Sequence, residues 1–341
     1  MIPFPSIKQF RDVIRNVHNK AHFVGLDAAG EPVYDNRRPV PALRFRGSVK
    51  LHGSNAAVVF GPNGIGFQSR ERVLTLEDDN FGFHAHMSGH MDELRRIAVL
   101  IAAQAQVSPS PDTQIVLYGE WCGGTIQNKV ALTGLPTMFV IFAVWIDGNW
   151  YDVDTLDCLI SEAARIRSIA DFPQYDMVID FAQPALAQGM LGDITRAVEL
   201  RCPAGLALGR EGVGEGVVWR CLDEPGSDYW FKVKGQKHSA SRVTKLAAVS
   251  VEKIAKTSDF VAMAVSEARL SQGLHNLIHE QRKPFDMSGM ADFIRWVVGD
   301  VMKEEADTIA ANGFDPRKLG EPIAAVARRW YCAQLADAPR S

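Results

Sequence analysis

The chain has 341 residues, 47% of them hydrophobic, and a formal net charge of -3; that is enough apolar material for two moderate cores, and a two-domain chain is expected. So weak a charge excludes a globally basic nucleic-acid-binding field, so any polyanion must meet local clusters of Lys and Arg. Five scattered cysteines without a C-x-x-C pair (Cys122, Cys158, Cys202, Cys221, Cys332) argue against a zinc ribbon or a secreted disulfide framework.

The opening residues MIPFPSIKQF hold no apolar run of signal-peptide length, and no later stretch approaches the roughly 20 apolar residues of a membrane span. A soluble, cytoplasmic protein is expected. Over residues 44–146, β-rich runs (AAVVF, QIVLYGEW, MFVIFAVWI) separated by Gly, Pro and Asn turns predict a largely antiparallel sheet. One helix interrupts them near residues 91–106, where DELRRIAVLIAAQAQ has helical spacing and stops before Pro109 and Pro111. Residues 155–200 read as a partly helical insertion, after which GEGVVWRCL and YWFKVK return to strand. From Val251 the periodicity becomes helical (VEKIAKTSDFVAMAVSEARL, MADFIRWVVGDVMKEEADTIA, EPIAAVARRWYCAQL), with turns expected at Gly273, Pro284 and Pro316. The expected organisation is an α+β domain over residues 1–243 and a small all-α domain over 251–341. No internal repeat is found.

Chemistry concentrates first at residues 48–55, S-V-K-L-H-G-S-N, where a strand ends in a glycine turn before the next strand. This displays Lys50 at a strand end. A lone lysine in a turn is ordinarily just solvated, but four further stretches follow in order. They are F-Q-S-R-E-R (67–72), L-Y-G-E-W-C-G-G-T-I-Q (117–127), M-F-V-I-F (138–142), and the pair E-G-V-V (215–218) and F-K-V-K-G (231–235). This ordered set resembles the covalent nucleotidyltransferase superfamily of ligases and capping enzymes. K-L-H-G-S-N, G-E-W-C-G-G-T-I-Q and F-K-V-K-G-Q-K-H-S look most like the phage-type ATP-dependent RNA ligases that seal nicks in duplex RNA. The likeness covers about residues 44–240, and more weakly S-E-A-R-L-S-Q-G-L (266–274) in the tail.

The resemblance implies an antiparallel-sheet nucleotidyltransferase fold, an ATP-grasp-like ligase adenylation domain, working as a monomer on RNA ends with ATP and Mg2+ or Mn2+. Lys50 would carry AMP as a phosphoramidate. His52, Asn55, Arg70, Lys232 and Lys234 would join it in catalysis, with Arg70 favoured over Arg72. Val49, Leu51, Glu120, Phe142 and Glu215 would line the nucleotide, Glu120 at the ribose, Phe142 stacked on adenine, and Glu215 the metal carboxylate. A phage origin and a host cytoplasm are implied in the same way. Two positions depart from the family pattern: Ala143 stands where many relatives have an aspartate, and Val49 where phage relatives often have a glutamate.

Residue chemistry adds its own expectations. A lysine nucleophile must be neutral, so the site should lower the Lys50 pKa by desolvation or by nearby positive charge. The period-2 spacing of Lys232 and Lys234 puts both amines on one strand face, and Lys237, His238, Arg242 and Lys245 extend the best local phosphate-binding stretch. Replacing Glu215 with alanine is expected to leave the fold largely intact. His84, His86 and His90 lack partners spaced for a zinc pattern and read as a polar loop; His275 and His279 read as surface residues. G-R-E-G-V-G-E-G (209–216) lacks the Lys-Ser/Thr of a P-loop.

Overall fold

The computed structural model describes residues 1–108, 110–224, 226–235 and 256–337. The chain divides into two compact units, residues 1–235 and residues 236–341. The sequence-based boundaries at 243 and 251, the basic run Lys237, His238, Arg242 and Lys245, and Pro109 lie outside the described residues.

The strands of the first unit are β1 (Phe23–Leu26), β2 (Pro32–Tyr34), β3 (Ala42–Lys50), β4 (Gly53–Gly61), β5 (Gly64–Ser69), β6 (Ile115–Cys122), β7 (Met138–Ile146), β8 (Asn149–Tyr151), β9 (Ile166–Ser168), β10 (Gln174–Asp180), β11 (Gly216–Cys221) and β12 (Phe231–Lys234). Its helices are α1 (Phe10–His22), α2 (Phe83–Ser88), α3 (Met91–Gln104), α4 (Ala185–Leu200) and α5 (Pro203–Ala207). One antiparallel sheet runs β10-β3-β11-β12; a second runs β5-β4-β6-β7-β8, with β9 joining β7 in parallel; β1 and β2 form a separate hairpin.

Alternation along the strands of the first sheet decides its two faces. Phe45, Val49, Val217, Trp219, Phe231 and Val233 are buried on one face. There Phe10 of α1 meets Phe231 at 4.8 Å between ring centroids, and Phe45 meets Phe231 at 5.4 Å. The opposite face carries Ser48, Lys50, Lys232 and Lys234, the intervening positions of the same strands. In the second sheet the near-continuous apolar run of β7 is almost wholly buried, and Phe83 of α2 packs on Trp121 and Phe139.

The α+β class, the antiparallel sheets and the interrupting helix agree with the sequence reading. The reading of 155–200 as partly helical holds at α4, and the same stretch also contains a strand at Gln174–Asp180 that the sequence reading did not specify. This segment is β10, whose buried Met177 and Ile179 alternate with exposed residues while its whole length pairs with Ala42–Ser48 of β3. Arg46 on β3 and Arg220 on β11 share Asp154, at 3.0 and 3.2 Å, with Asp176 and Asp152 completing the network at 2.7 and 2.9 Å. Burial alone would push the Asp154 carboxyl up; Arg220, Gln174 and Arg46 outweigh it and hold it below its ordinary value. A depressed carboxyl contributes stability above its unfolded value of about 3.9 and loses it as pH falls through the folded value. Asp154→Asn is therefore expected to cost about 3 kcal/mol at pH 7 and progressively less as pH falls below about 4, read as denaturation midpoints across that range.

The described part of the second unit is helical: α6 (Thr257–Ala264), α7 (Glu267–His275), α8 (Met290–Glu304), α9 (Ala306–Ala311) and α10 (Pro316–Asp337). Phe260, Phe293, Val297, Val301, Ile323 and Tyr331 form its core. Gly273 is not a turn. It lies inside α7, where an added Cβ would meet Trp296 at 2.9 Å and Phe293 and Val297 at 3.1 Å, so the glycine permits close packing on α8. Pro316 opens α10 instead of ending an element, a position where its missing N–H costs nothing. Within S-E-A-R-L, Ser266 caps α7, while Arg269 is 1% exposed and ion-paired to Asp300 at 2.7 Å, a structural role in this unit.

Candidate active site

Three strands bring the lysines together. In register, Lys50 at the end of β3 and Lys234 at the end of β12 both lie opposite Gly216 of the central strand β11. Glu215, immediately before that glycine, therefore reaches both: its Oε2 accepts from Lys50 Nζ at 2.7 Å and its Oε1 pairs with Lys234 Nζ at 2.9 Å. Gly216 has φ +151°, and an added Cβ would come within 2.2 Å of the Val233 carbonyl oxygen, so a side chain there would force the strands apart. Lys232 lies opposite Val218, two residues from Lys234 on the same strand.

The second sheet supplies the other carboxylate. Glu120 on β6 lies opposite Asn55 on β4, and its Oε1 accepts from the Gly53 N–H at 2.9 Å. Gln127 Nε2 donates to the Gly53 carbonyl oxygen at 3.1 Å. The turn following Lys50 is thus held from both sides. Gly53 is required for that approach, because a Cβ would sit 2.4 Å from the Trp121 carbonyl oxygen. Gly53→Ala is expected to destabilise the protein by about 2 to 3 kcal/mol and to slow any reaction at Lys50, measured as denaturation midpoint and initial rate.

Electrostatics corrects one expectation. Burial lowers the Lys50 amine, but the Glu215 and Glu120 carboxylates outweigh it, and the pKa is raised above its ordinary value in this ligand-free arrangement. Glu215 is the mirror image. Burial pushes its carboxyl up, yet Lys234, Lys50 and His52 hold it far below the usual carboxylate range. Glu120 is pushed up to about 7, chiefly by burial, with the nearby Lys50 amine opposing the rise. One carboxylate is thus fixed as an anion between two amines, while its neighbour changes charge near neutrality.

The structure brings Lys50, His52, Glu120, Glu215 and Lys234 into one electrostatic neighbourhood, with Arg70 close enough to act on Lys50 and Glu120. Arg70 is exposed at the end of β5, whereas Arg72 is tied to the Asp78 and Asp79 carbonyl oxygens at 2.8 and 3.2 Å. The side chains of Val49 and Leu51 are buried in the core, so only their backbone groups could meet a ligand. Phe142 is an extra residue in β7, between the pairs Tyr118–Ala143 and Gly119–Ile141. Such a bulge re-aims a side chain, and this one packs half-buried beside Ala57, Tyr118 and Ala143. The role of Gln127 was not assigned from sequence, although the residue stands at the end of the G-E-W-C-G-G-T-I-Q motif.

The two histidine clusters also differ from the sequence reading. His84 and His86 lie on the short helix α2 instead of a loop, with His86 bonded to the Ala164 carbonyl oxygen at 2.9 Å and to Arg165 at 2.8 Å. His275 and His279 are half-buried, their rings 4.6 Å apart. Among the described residues no group of three or more His, Cys, Asp or Glu side chains is arranged to hold a metal. A magnesium ion needs no such cage, since it is commonly held by one or two carboxylates, phosphate oxygens and water. Glu215, anionic and facing Lys50, fits that requirement. Among the described residues no helix is long and apolar enough to cross a membrane.

Solved structures of the Naegleria gruberi RNA ligase resemble this chain. A variant with ATP and Mn matches at 16% identity, TM-score 0.42, over 69% of this chain and 56% of that one. An apo variant matches at 17% and 0.42, and the ligase with PPi at 16% and 0.42, each over the same shares of the two chains. The chain therefore spans little more than half the length of that ligase. No sequence among the curated proteins matches. The sequence profile of the RNA ligase family matches residues 44–234, more than half of the chain and the whole stretch from Lys50 to Lys234, and the chain belongs to the RNA ligase family.

Proposed function

We propose that this protein is an ATP-dependent RNA ligase that joins a 3'-hydroxyl to a 5'-phosphate, with nicks in duplex RNA as its preferred substrate. The observation that carries the reading is the Lys50, Glu215 and Lys234 cluster opposite Glu120, in a chain of this family. The Lys50 amine attacks the α-phosphorus of ATP, forming a lysyl-AMP phosphoramidate and releasing pyrophosphate. The AMP then passes to the 5'-phosphate, and the 3'-hydroxyl displaces it to form the phosphodiester. Lys232, Lys234 and Arg70 offer fixed positive charge to the phosphates as charge develops, His52 and Asn55 flank them, Glu120 meets the ribose, and Phe142 stacks on the base. A divalent cation, Mg2+ or Mn2+, would be held by Glu215 and would supply charge neutralisation at the phosphates.

Because the carboxylates keep the ligand-free Lys50 charged, loss of its proton requires Glu215 to be drawn away or offset by added positive charge. The helical make-up of the described part of the second unit favours this reading over a DNA ligase or a capping guanylyltransferase, which the superfamily pattern pairs with a β-barrel instead. The test is end-joining with ATP and magnesium on nicked duplex RNA, single-stranded RNA and nicked duplex DNA. Fastest joining of the nicked RNA is expected. Preference for nicked DNA, or label transfer from GTP instead of ATP, would replace the reading.

A further inference from the structure

Residues 2–8 precede every motif that carries the family likeness, yet they run along the strands that bear it. Ile2 is clasped by Gln68, its N–H donating to Oε1 at 3.1 Å and its carbonyl oxygen accepting from Nε2 at 2.6 Å and from the Tyr118 hydroxyl at 2.9 Å. Gln68 is only 2% exposed, so this clasp is built into the sheet. At the other end, Lys8 N–H donates to the Trp230 carbonyl oxygen at 3.3 Å and its own carbonyl oxygen accepts from the Lys232 N–H at 3.0 Å. The segment is thus a strap fastened to β12 of one sheet and to β5 and β6 of the other.

Between those fastenings lies Phe4, with ring centroids 5.1 Å from both Tyr118 and Phe142, 5.8 Å from Trp150 and 6.1 Å from Trp230. Tyr118 and Glu120 are two residues apart on β6, and Ala57 and Asn55 two apart on β4, so the strap covers the sheet face that carries Glu120. Ser6 Oγ accepts from Arg70 Nη2 at 3.2 Å. One short segment therefore touches Phe142 through Phe4, Arg70 through Ser6 and the Lys232 backbone through Lys8.

We propose that this strap is a positioning element of the nucleotide site, with Phe4 fixing the orientation of the Phe142 ring and Ser6 that of the Arg70 guanidinium. The assignment rests on the proposed function and deepens it. Phe142 stands out of the strand register as a bulge, so its own backbone does not fix its ring as a regular strand would; the edge-to-face contact with Phe4, at 67° between planes, supplies that constraint. The Phe4 ring would then brace Phe142 edge-on while the base stacks on the Phe142 face. Nucleotide binding, more than phosphoryl transfer, should depend on it.

The experiment compares wild type, Phe4→Leu, which keeps apolar volume without a ring, Phe4→Ala and Phe4→Tyr. For each, the KM for ATP and the kcat of lysyl-AMP formation are measured with magnesium, ATP affinity by calorimetry, and the thermal midpoint. Phe4→Leu is expected to raise KM about tenfold, equivalent to about 1.4 kcal/mol, with kcat within about threefold, a nearly unchanged midpoint and near-wild-type KM restored in Phe4→Tyr. An unchanged KM in a folded Phe4→Leu protein, while wild type forms lysyl-AMP, overturns the strap assignment alone. A lowered KM also overturns it and makes Phe4 a plug over the base site. Wild type that neither binds nor consumes ATP overturns the proposed function and the strap with it.

Discussion

Replacing Lys50 with alanine or arginine is expected to reduce protein-bound AMP to background, with the protein still folded. Alanine removes the nucleophile; arginine keeps the charge, but its guanidinium stays protonated at any pH the protein tolerates and cannot attack phosphorus. The structural cost is small because Glu215 retains Lys234 at 2.9 Å as a counter-ion. A midpoint change equivalent to about 1 kcal/mol is expected, in contrast to the roughly 3 to 5 kcal/mol of an orphaned buried charge. Labelled AMP transfer and thermal denaturation check the two halves of this expectation. Adenylation retained in either variant would move the nucleophile elsewhere.

Glu215→Ala is expected to behave differently from what its sequence position suggests. Read as a metal carboxylate at a strand end, its loss should spare the fold. In the structure, however, Glu215 is 5% exposed and pairs with two amines at once. Removing it leaves Lys50 and Lys234 without that shared counter-ion, a change that costs about 3 to 5 kcal/mol. Lysyl-AMP formation should fall by at least about 100-fold if Glu215 also holds the metal as proposed. Glu215→Gln keeps the shape and one of the two acceptor oxygens, with its amide nitrogen facing the other amine, so it should lose activity comparably while losing somewhat less stability. Denaturation midpoints and initial rates of the two variants separate the structural share of the loss from the chemical share.

The two roles of Glu215 also show where sequence reading stops. Lys50, Glu120, Glu215, Lys232 and Lys234 could be named as candidates because each stands in one of an ordered set of short motifs that resemble the family's, and period-2 spacing alone put the two lysines of β12 on one face. That Glu215 lies between two of those amines was not legible, because the contact depends on the register of three strands about 165 and 180 residues apart in the chain. The same limit explains the raised Lys50 pKa: sequence supplied the cations, whereas the fold set the carboxylates closer. β10 was missed because an exposed-edge strand of alternating Asp, Met, Val and Ile gives a weak signal beside helical neighbours. Residues 2–8 carry no periodicity, and their contacts, with Phe4 seated among Tyr118, Phe142, Trp150 and Trp230, come only with the fold.

The most direct test of the central claim is the intact mass of the protein after incubation with ATP and magnesium, followed by peptide mapping. A gain of one AMP, lodged on the peptide containing Lys50 and absent from Lys50→Ala, is predicted. No gain in mass, or an adenylate mapped to any other residue, would contradict the account.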